Sequence, residues 1–202
     1  MKCSDVRLAH LLQFLLFSLM AFLAACQQPA PVVTQNPATS PQTSATPDAS
    51  EWAKARKLVQ DNFPDVAQIS TQQLGDWLSD STRAKPLLLD ARNADEYAVS
   101  HLPEAINTKT EQQALSALQG QAKDRPIVVY CAIGYRSSAL TRKLSAQGFT
   151  NVRNLDGSIF AWANEGRPVF RGSEQVRRVH PFNEKWGQLL NKELWQQAMH
   201  SD

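Results

Sequence analysis

The sequence predicts an α/β fold, a parallel sheet covered by helices on both faces, and two observations carry this. The runs Pro86-Leu87-Leu88-Leu89-Asp90-Ala91 and Pro126-Ile127-Val128-Val129-Tyr130 are almost unbroken in apolar character, as strands buried on both faces are. Around them, stretches with helical spacing alternate with strand-like stretches, and such alternation implies helical crossovers between parallel strands.

Taken in order, Trp52, Ala55, Leu58, Val59 and Phe63 recur at helical spacing and predict an amphipathic helix over 51–62 that ends at Pro64. Val66 to Ser70 is a short candidate strand, and Thr71 can cap a helix running through Leu78. The first apolar run then forms a strand, and Ala105-Ile106-Asn107 is another candidate. Residues 111–121 read as helical, and the second apolar run leads straight into Cys131. Ala139, Leu140, Leu144 and Ala146 continue as a helix with a stop at Gly148. Val152 to Leu155 reads as a strand and 158–165 as a helix. After Arg171 a polar, basic connection leads to a last helix with Trp186, Leu189, Leu190 and Leu194 on one face, expected to pack back on the domain.

The ends divide the 202 residues further. Lys2 and Arg7 precede an apolar run from Leu11 to Leu23, the pattern of a secretory signal peptide. That run is too short for a membrane span, which needs about 20 apolar residues. Leu23-Ala24-Ala25-Cys26 follows and resembles a bacterial lipobox, so Cys26 is the expected lipidation site, with 1–25 removed. The alternatives are an uncleaved anchor or a signal cleaved without lipid. From Gln27 to about Ser50, Pro, Ser, Thr, Ala and Gln dominate; such a stretch buries too little apolar surface to offset its conformational entropy and reads as a disordered tether. The expected organisation is therefore a signal peptide (1–25), a lipidated Cys and linker (26–50), a flanking helix (51–65), the main domain (66–170) and a C-terminal helical extension (171–202). The expected location is the bacterial cell envelope, lipid-anchored and facing the periplasm. Gln27 is not the Asp that retains some lipoproteins in the inner membrane, which favours the outer one.

Hydrophobic content of 43% and charged content of 20% are ordinary for a globular domain. The net charge of +2 lacks the basic excess of a nucleic-acid binder, so no nucleic-acid partner is expected. Of three cysteines, Cys3 falls in the cleaved segment and Cys26 takes the lipid, which leaves Cys131 as the free thiol of the mature chain.

The chemistry gathers in Cys131-Ala132-Ile133-Gly134-Tyr135-Arg136-Ser137-Ser138, where a buried strand ends, a short loop follows and a helix starts. Amides at a helix start have no intrahelical partners, and the helix dipole adds positive potential there. A sulfur anion at Cys131 gains from both, which lowers the thiol pKa and activates it as a nucleophile. Gly134 lets the backbone turn inward so that amides converge on one anion. Arg136 adds a fixed positive charge, and Ser137 and Ser138 can cap the helix or donate to a bound group. A buried structural cysteine is the competing reading of Cys131 alone.

Four stretches, in order from about Val66 to Phe170, give the region a family resemblance. They are Leu88-Leu89-Asp90-Ala91-Arg92 with Asp95-Glu96-Tyr97; His101-Leu102-Pro103-Glu104-Ala105-Ile106-Asn107; Tyr130-Cys131 through Ser137; and Leu155-Asp156-Gly157-Ser158 with Ala161-Trp162, Gly166 and Pro168-Val169. Together they resemble the rhodanese family of sulfurtransferases. Ser158, Ser100 and Glu104 stand where that family often has glycine, and Ala132-Ile133 lack the polar residues of many thiosulfate-using loops.

The resemblance implies a three-layer α/β/α fold with a five-stranded parallel sheet and Cys131 at the base of a cradle formed by residues 132–137. It implies that Cys131 takes a sulfane sulfur from a small-molecule donor as a persulfide and passes it to a thiol or cyanide-like acceptor. No metal and no organic cofactor are expected. Splitting the transfer through a covalent intermediate implies ping-pong kinetics. Asp90 and Arg92 are supporting candidates that brace the loop, pair with Glu96, or form a surface ion pair; His101 is expected to be structural. The cluster Arg167, Arg171, Arg177, Arg178 and His180 reads as a solvated face rather than a donor funnel.

Two other function classes are compatible with these residues. Phosphatases of related fold place five residues between Cys and Arg, whereas four stand between Cys131 and Arg136, a loop sized for one sulfur atom. A non-catalytic binding or persulfide-carrier module serving an envelope protein partner is the other alternative.

Overall fold

The structure is a computed structural model and describes residues 47–196. The signal segment, Cys26 and nearly all of the expected tether lie outside the described residues. Helix α1 (Ala49–Asn62) starts two residues earlier than the periodicity indicates, because the Asp48 side chain accepts from the Ser50 amide and caps it. Strand β1 (Gln68–Ile69) leads into α2 (Thr71–Ser79). The cap of α2 is Ser70 rather than Thr71: its hydroxyl accepts from the Gln73 amide, while the Gln73 side chain accepts from the Ser70 amide.

The alternation continues with β2 (Leu87–Asp90), α3 (Ala94–Val99), β3 (Ile106–Asn107), α4 (Glu111–Ala117), β4 (Ile127–Tyr130), α5 (Tyr135–Ala146), β5 (Val152–Leu155) and α6 (Ser158–Asn164). Five strands pair in parallel in the order β1-β5-β4-β2-β3. Helix α4 is shorter than the 111–121 read from sequence. Its chain turns at Leu118, and Gly120 takes a left-handed conformation (φ 77°) there.

The two apolar runs are buried on both faces, as expected. In β4 and just after it, Ile127, Val129 and Cys131 face one apolar cluster with Ala114 of α4 and Leu140 and Leu144 of α5. Val128, Tyr130 and Ala132 face the opposite cluster with Leu74, Trp77, Ile159 and Phe160. A period of two on a doubly covered strand demands apolar residues at every position.

This topology selects one place for a ligand. From β2 the chain moves outward to β3; from β4 it crosses to the other side, to β5. Adjacent strands whose connections leave in opposite directions open a crevice at their carboxyl ends, the usual ligand site of open parallel sheets. Cys131 is the first residue beyond β4.

The C-terminal region differs from expectation. The basic connection is a hairpin, β6 (Val169–Arg171) and β7 (Glu174–Val176), turned at Gly172. The expected last helix is broken into a four-residue α7 (Glu184–Gly187) and a 3₁₀ turn at Lys192–Leu194. Tertiary contacts override the helical period there. A Cβ on Gly187 would stand 2.7 Å from the Trp195 ring, so the chain closes on itself at a glycine. Asn164 of α6 then pins the tail, donating to the Leu189 carbonyl and accepting from the Asn191 amide. The tail does pack back: Val179, Leu189, Leu190 and Leu194 join the core cluster on the α6 side.

Candidate active site

The loop from Cys131 to Gly134 links β4 to α5 and is held by its carbonyls. The Ile159 and Phe160 amides, in the first turn of α6, donate to the carbonyls of Cys131 and Ala132, both at 3.2 Å. With those carbonyls turned toward α6, the next amides are free to face the sulfur. The Gly134 amide donates to Cys131 Sγ at 3.2 Å, and the Ser137 hydroxyl donates to it at 3.4 Å. Gly134 takes φ 108° to make this turn, and a Cβ there would meet Asn154 Nδ2 at 3.2 Å, so only glycine fits without strain.

Cys131 is wholly buried. Burial pushes its thiol up; against this, the Arg136 cation, the hydroxyl and amide of Ser137 and the Gly134 amide all favour the anion. The balance leaves the thiol below its ordinary value. Arg136 does this while bound elsewhere: its guanidinium donates from Nη1 and Nη2 to the two Glu96 carboxylate oxygens at 2.7 and 2.8 Å. Glu96 is buried and also accepts from the Asn93 amide, so the carboxylate fixes the cation beside the sulfur. The guanidinium lies over the Phe182 ring, 4.4 Å from its centroid.

Asp90 and Arg92 form neither the surface pair nor the link to Glu96 weighed from sequence. They pair with each other, and both side chains are fully buried. The Asp90 carboxylate accepts from the Arg92 amide, Nε and Nη2, and Nη2 also donates to the Ser100 carbonyl. Burial works against the Arg92 charge, but the Asp90 carboxylate outweighs it and the guanidinium stays charged. The pair sits beside the loop, where the Ala91 amide donates to the Tyr130 carbonyl. His101 lies in a structural position: its ring stacks on Tyr97 at 4.2 Å, and its backbone bridges to Phe170.

The departures from the family pattern resolve separately. Ser100 is extended (φ −170°), which any residue adopts. Glu104 and Ser158 occupy left-handed positions (φ 56° and 51°), where glycine is the easy choice. At Ser158 the hydroxyl gives compensation, accepting from the Cys131 amide and donating to the Leu155 carbonyl, each at 3.1 Å. Sequence reasoning marked Ser158 only as a departure and missed this contact.

A cleft of about 320 Å³ opens over Cys131, and Ala132, Ile133, Tyr135 and Arg136 of the loop line it. Leu58 of α1, Phe182 and Trp186 of α7 complete its walls. These three also went unseen in the sequence, where Leu58 and Trp186 read as faces of flanking helices. Ser138 is buried but does not contact the sulfur; its amide continues α5 by donating to the Gly134 carbonyl. None of Arg167, Arg171, Arg177, Arg178 and His180 lines the cleft.

A buried sulfur with a lowered thiol pKa, held by two hydrogen-bond donors at the carboxyl end of a central strand, matches what comparison with known proteins finds. Residues 70–165 match the rhodanese-like domain family. A protein of Allochromatium vinosum named sulfurtransferase is 34% identical over 104 residues, which cover 52% of this chain and 94% of that one. The tRNA uridine(34) hydroxylase of Buchnera aphidicola is 30% identical over 60% of this chain, and the match spans 42% of that enzyme's length. Among solved structures, the thiosulfate sulfurtransferase of Pseudomonas aeruginosa superposes with a TM-score of 0.51 at 25% identity, over 67% of this chain and 26% of that one. With its cysteine loop, its five-stranded parallel sheet and a relative matched over nearly its full length, the chain belongs to the family of rhodanese-like domains.

Proposed function

We propose that the chain is a sulfurtransferase that loads one sulfane sulfur onto Cys131 and hands it to a nucleophilic acceptor. One observation carries this reading: a single buried sulfur accepts hydrogen bonds from the Gly134 amide and the Ser137 hydroxyl beside the Arg136 cation. A thiolate so held is a competent nucleophile toward sulfur. Once formed, the persulfide anion meets the same donors, so the loop serves both halves of the cycle. A relative named sulfurtransferase supports the reaction class. The reading includes a tether to the bacterial envelope through a lipid on Cys26, resting on the sequence pattern alone.

The test is an intact mass spectrum of the chain extracted from the envelope, before and after incubation with sulfane-sulfur donors, thiosulfate and an organic thiosulfonate in turn. Gain of one sulfur atom, removed by cyanide with release of thiocyanate, is expected. Absence of the adduct with every sulfane donor, or an adduct that cyanide does not remove, contradicts the transfer. The same spectrum reads the N-terminus: a diacylglycerol-bearing Cys26 supports the tether, and a chain still starting at Met1 contradicts it.

A further inference from the structure

The walls of the cleft do not suit a small dianion. Arg136 is the charged side chain among its lining residues, and Glu96 already takes both arms of that guanidinium. The remaining surface is apolar: Leu58, Ile133, Tyr135, Phe182 and Trp186 surround the approach to Cys131. Among the described residues three large apolar side chains are exposed, Leu58, Ile106 and Tyr135, and two of them stand at this mouth. The volume of about 320 Å³ is at the small end of organic-ligand sites, which are concave and mainly apolar.

Leu58, Phe182 and Trp186 share a further property. All three lie outside the 70–165 stretch that matches the family, on segments that flank it at either end. Phe182 is held there at a backbone cost, with φ 63°, a region that bulky residues seldom enter. Its amide donates to His180 Nδ1 at 2.9 Å, and its ring lies against Arg136. Strain at a ligand-facing residue persists only where the surrounding structure enforces it, and it marks functional positions.

From the apolar walls contributed by both flanking segments, we infer that the donor is an organic sulfane-sulfur compound. Its reacting end carries a single negative charge, and its body is an aromatic or branched apolar group seated against Leu58, Phe182 and Trp186. This inference rests on the sulfurtransferase reading and names its substrate class. An organic thiosulfonate illustrates the balance. The Cys131 thiolate attacks the terminal sulfur, and a bond forms between Sγ and that sulfur. The bond to the sulfonyl sulfur breaks, and its electron pair leaves on the sulfinate. Two anions enter and two leave, and no outside oxidant or reductant is needed. Cyanide then takes the outer sulfur as thiocyanate, and the electron pair of the S–S bond returns to Sγ.

The experiment compares benzenethiosulfonate with methanethiosulfonate as donors to cyanide, reading kcat/KM for each. The two differ in intrinsic reactivity, so the decisive quantity is how their ratio changes between the natural chain and its variants. Trp186→Ala is expected to lower the benzene-to-methane ratio about tenfold, since the lost ring serves only the larger donor. Leu58→Gln, at an exposed position of α1, is expected to lower it about threefold. If both donors turn over and the ratio is the same in natural chain and both variants, the substrate class is wrong and the sulfurtransferase reading stands. If neither donor yields thiocyanate or a persulfide on Cys131, both fall together.

Discussion

Cys131→Ser is expected to lower sulfur transfer by at least about 10⁴-fold, in line with the loss of other covalent nucleophiles. The hydroxyl is close in shape and can accept from the same Gly134 amide and Ser137 hydroxyl, so the loop keeps its hydrogen bonds. What it lacks is acidity. Donors that bring a thiol into the anionic range leave an alcohol protonated, and oxygen forms no stable counterpart of the persulfide. Steady-state thiocyanate production should vanish while the unfolding midpoint in urea stays within a few tenths of a molar of the natural chain. A variant that keeps a tenth of the natural rate would remove Cys131 from the reaction.

The largest expected effect on stability lies at Asp90. Replacing it with Ala leaves the Arg92 guanidinium buried without a counter-ion, since the remaining acceptor for that group is the Ser100 carbonyl. Breaking a buried pair in this way costs about 3–5 kcal/mol, because the surviving charge has lost water and gained nothing. A domain of this size has only about 5–15 kcal/mol in total. The double change Asp90→Leu with Arg92→Met removes both charges and should recover most of the loss, since apolar replacement of a whole buried pair is often neutral. Urea unfolding monitored by tryptophan fluorescence checks both. A loss below about 1 kcal/mol in Asp90→Ala would show that the pair behaves as an exposed one.

This pair marks where sequence reasoning stopped. Asp90 and Arg92 were visible as neighbours at a strand end, yet their burial and mutual pairing depend on α3 and on the segment through Ser100 folding over them. The sheet was far easier to read, since Leu87–Asp90 and Ile127–Tyr130 are apolar on both faces and their buried environment leaves few alternatives. The geometry of the cysteine loop was equally legible, because strand, Gly134 and Arg136 are adjacent in the chain and the turn is set by local backbone conformation. Contacts across long separations were not. Glu96 meets Arg136 forty residues away, and Leu58, Phe182 and Trp186 line one cleft only because the tail folds back onto the domain. The tail itself misled, because Trp186, Leu189, Leu190 and Leu194 have helical spacing while Gly187 and Asn191 make contacts that break the helix.

The glycine departures add a second lesson. Ser158 lacks glycine's freedom but supplies a hydroxyl that joins the cysteine strand end to the start of α6. Each such hydrogen bond contributes about 1 kcal/mol, comparable with the cost of a left-handed conformation. A polar side chain can therefore hold a backbone shape that composition alone would assign to glycine.

Local donors and one cation overcome burial and hold the Cys131 thiol below its ordinary pKa. Alkylation by iodoacetamide in the native fold, followed as a function of pH, tests it most directly. The anionic fraction rises with pH, so a lowered pKa moves the midpoint of the rate profile below that of an ordinary thiol, about 8.5. Arg136→Gln removes the strongest opponent of burial and should move the midpoint upward. A natural-chain midpoint at or above the ordinary value, or one that Arg136→Gln leaves in place, would contradict the account.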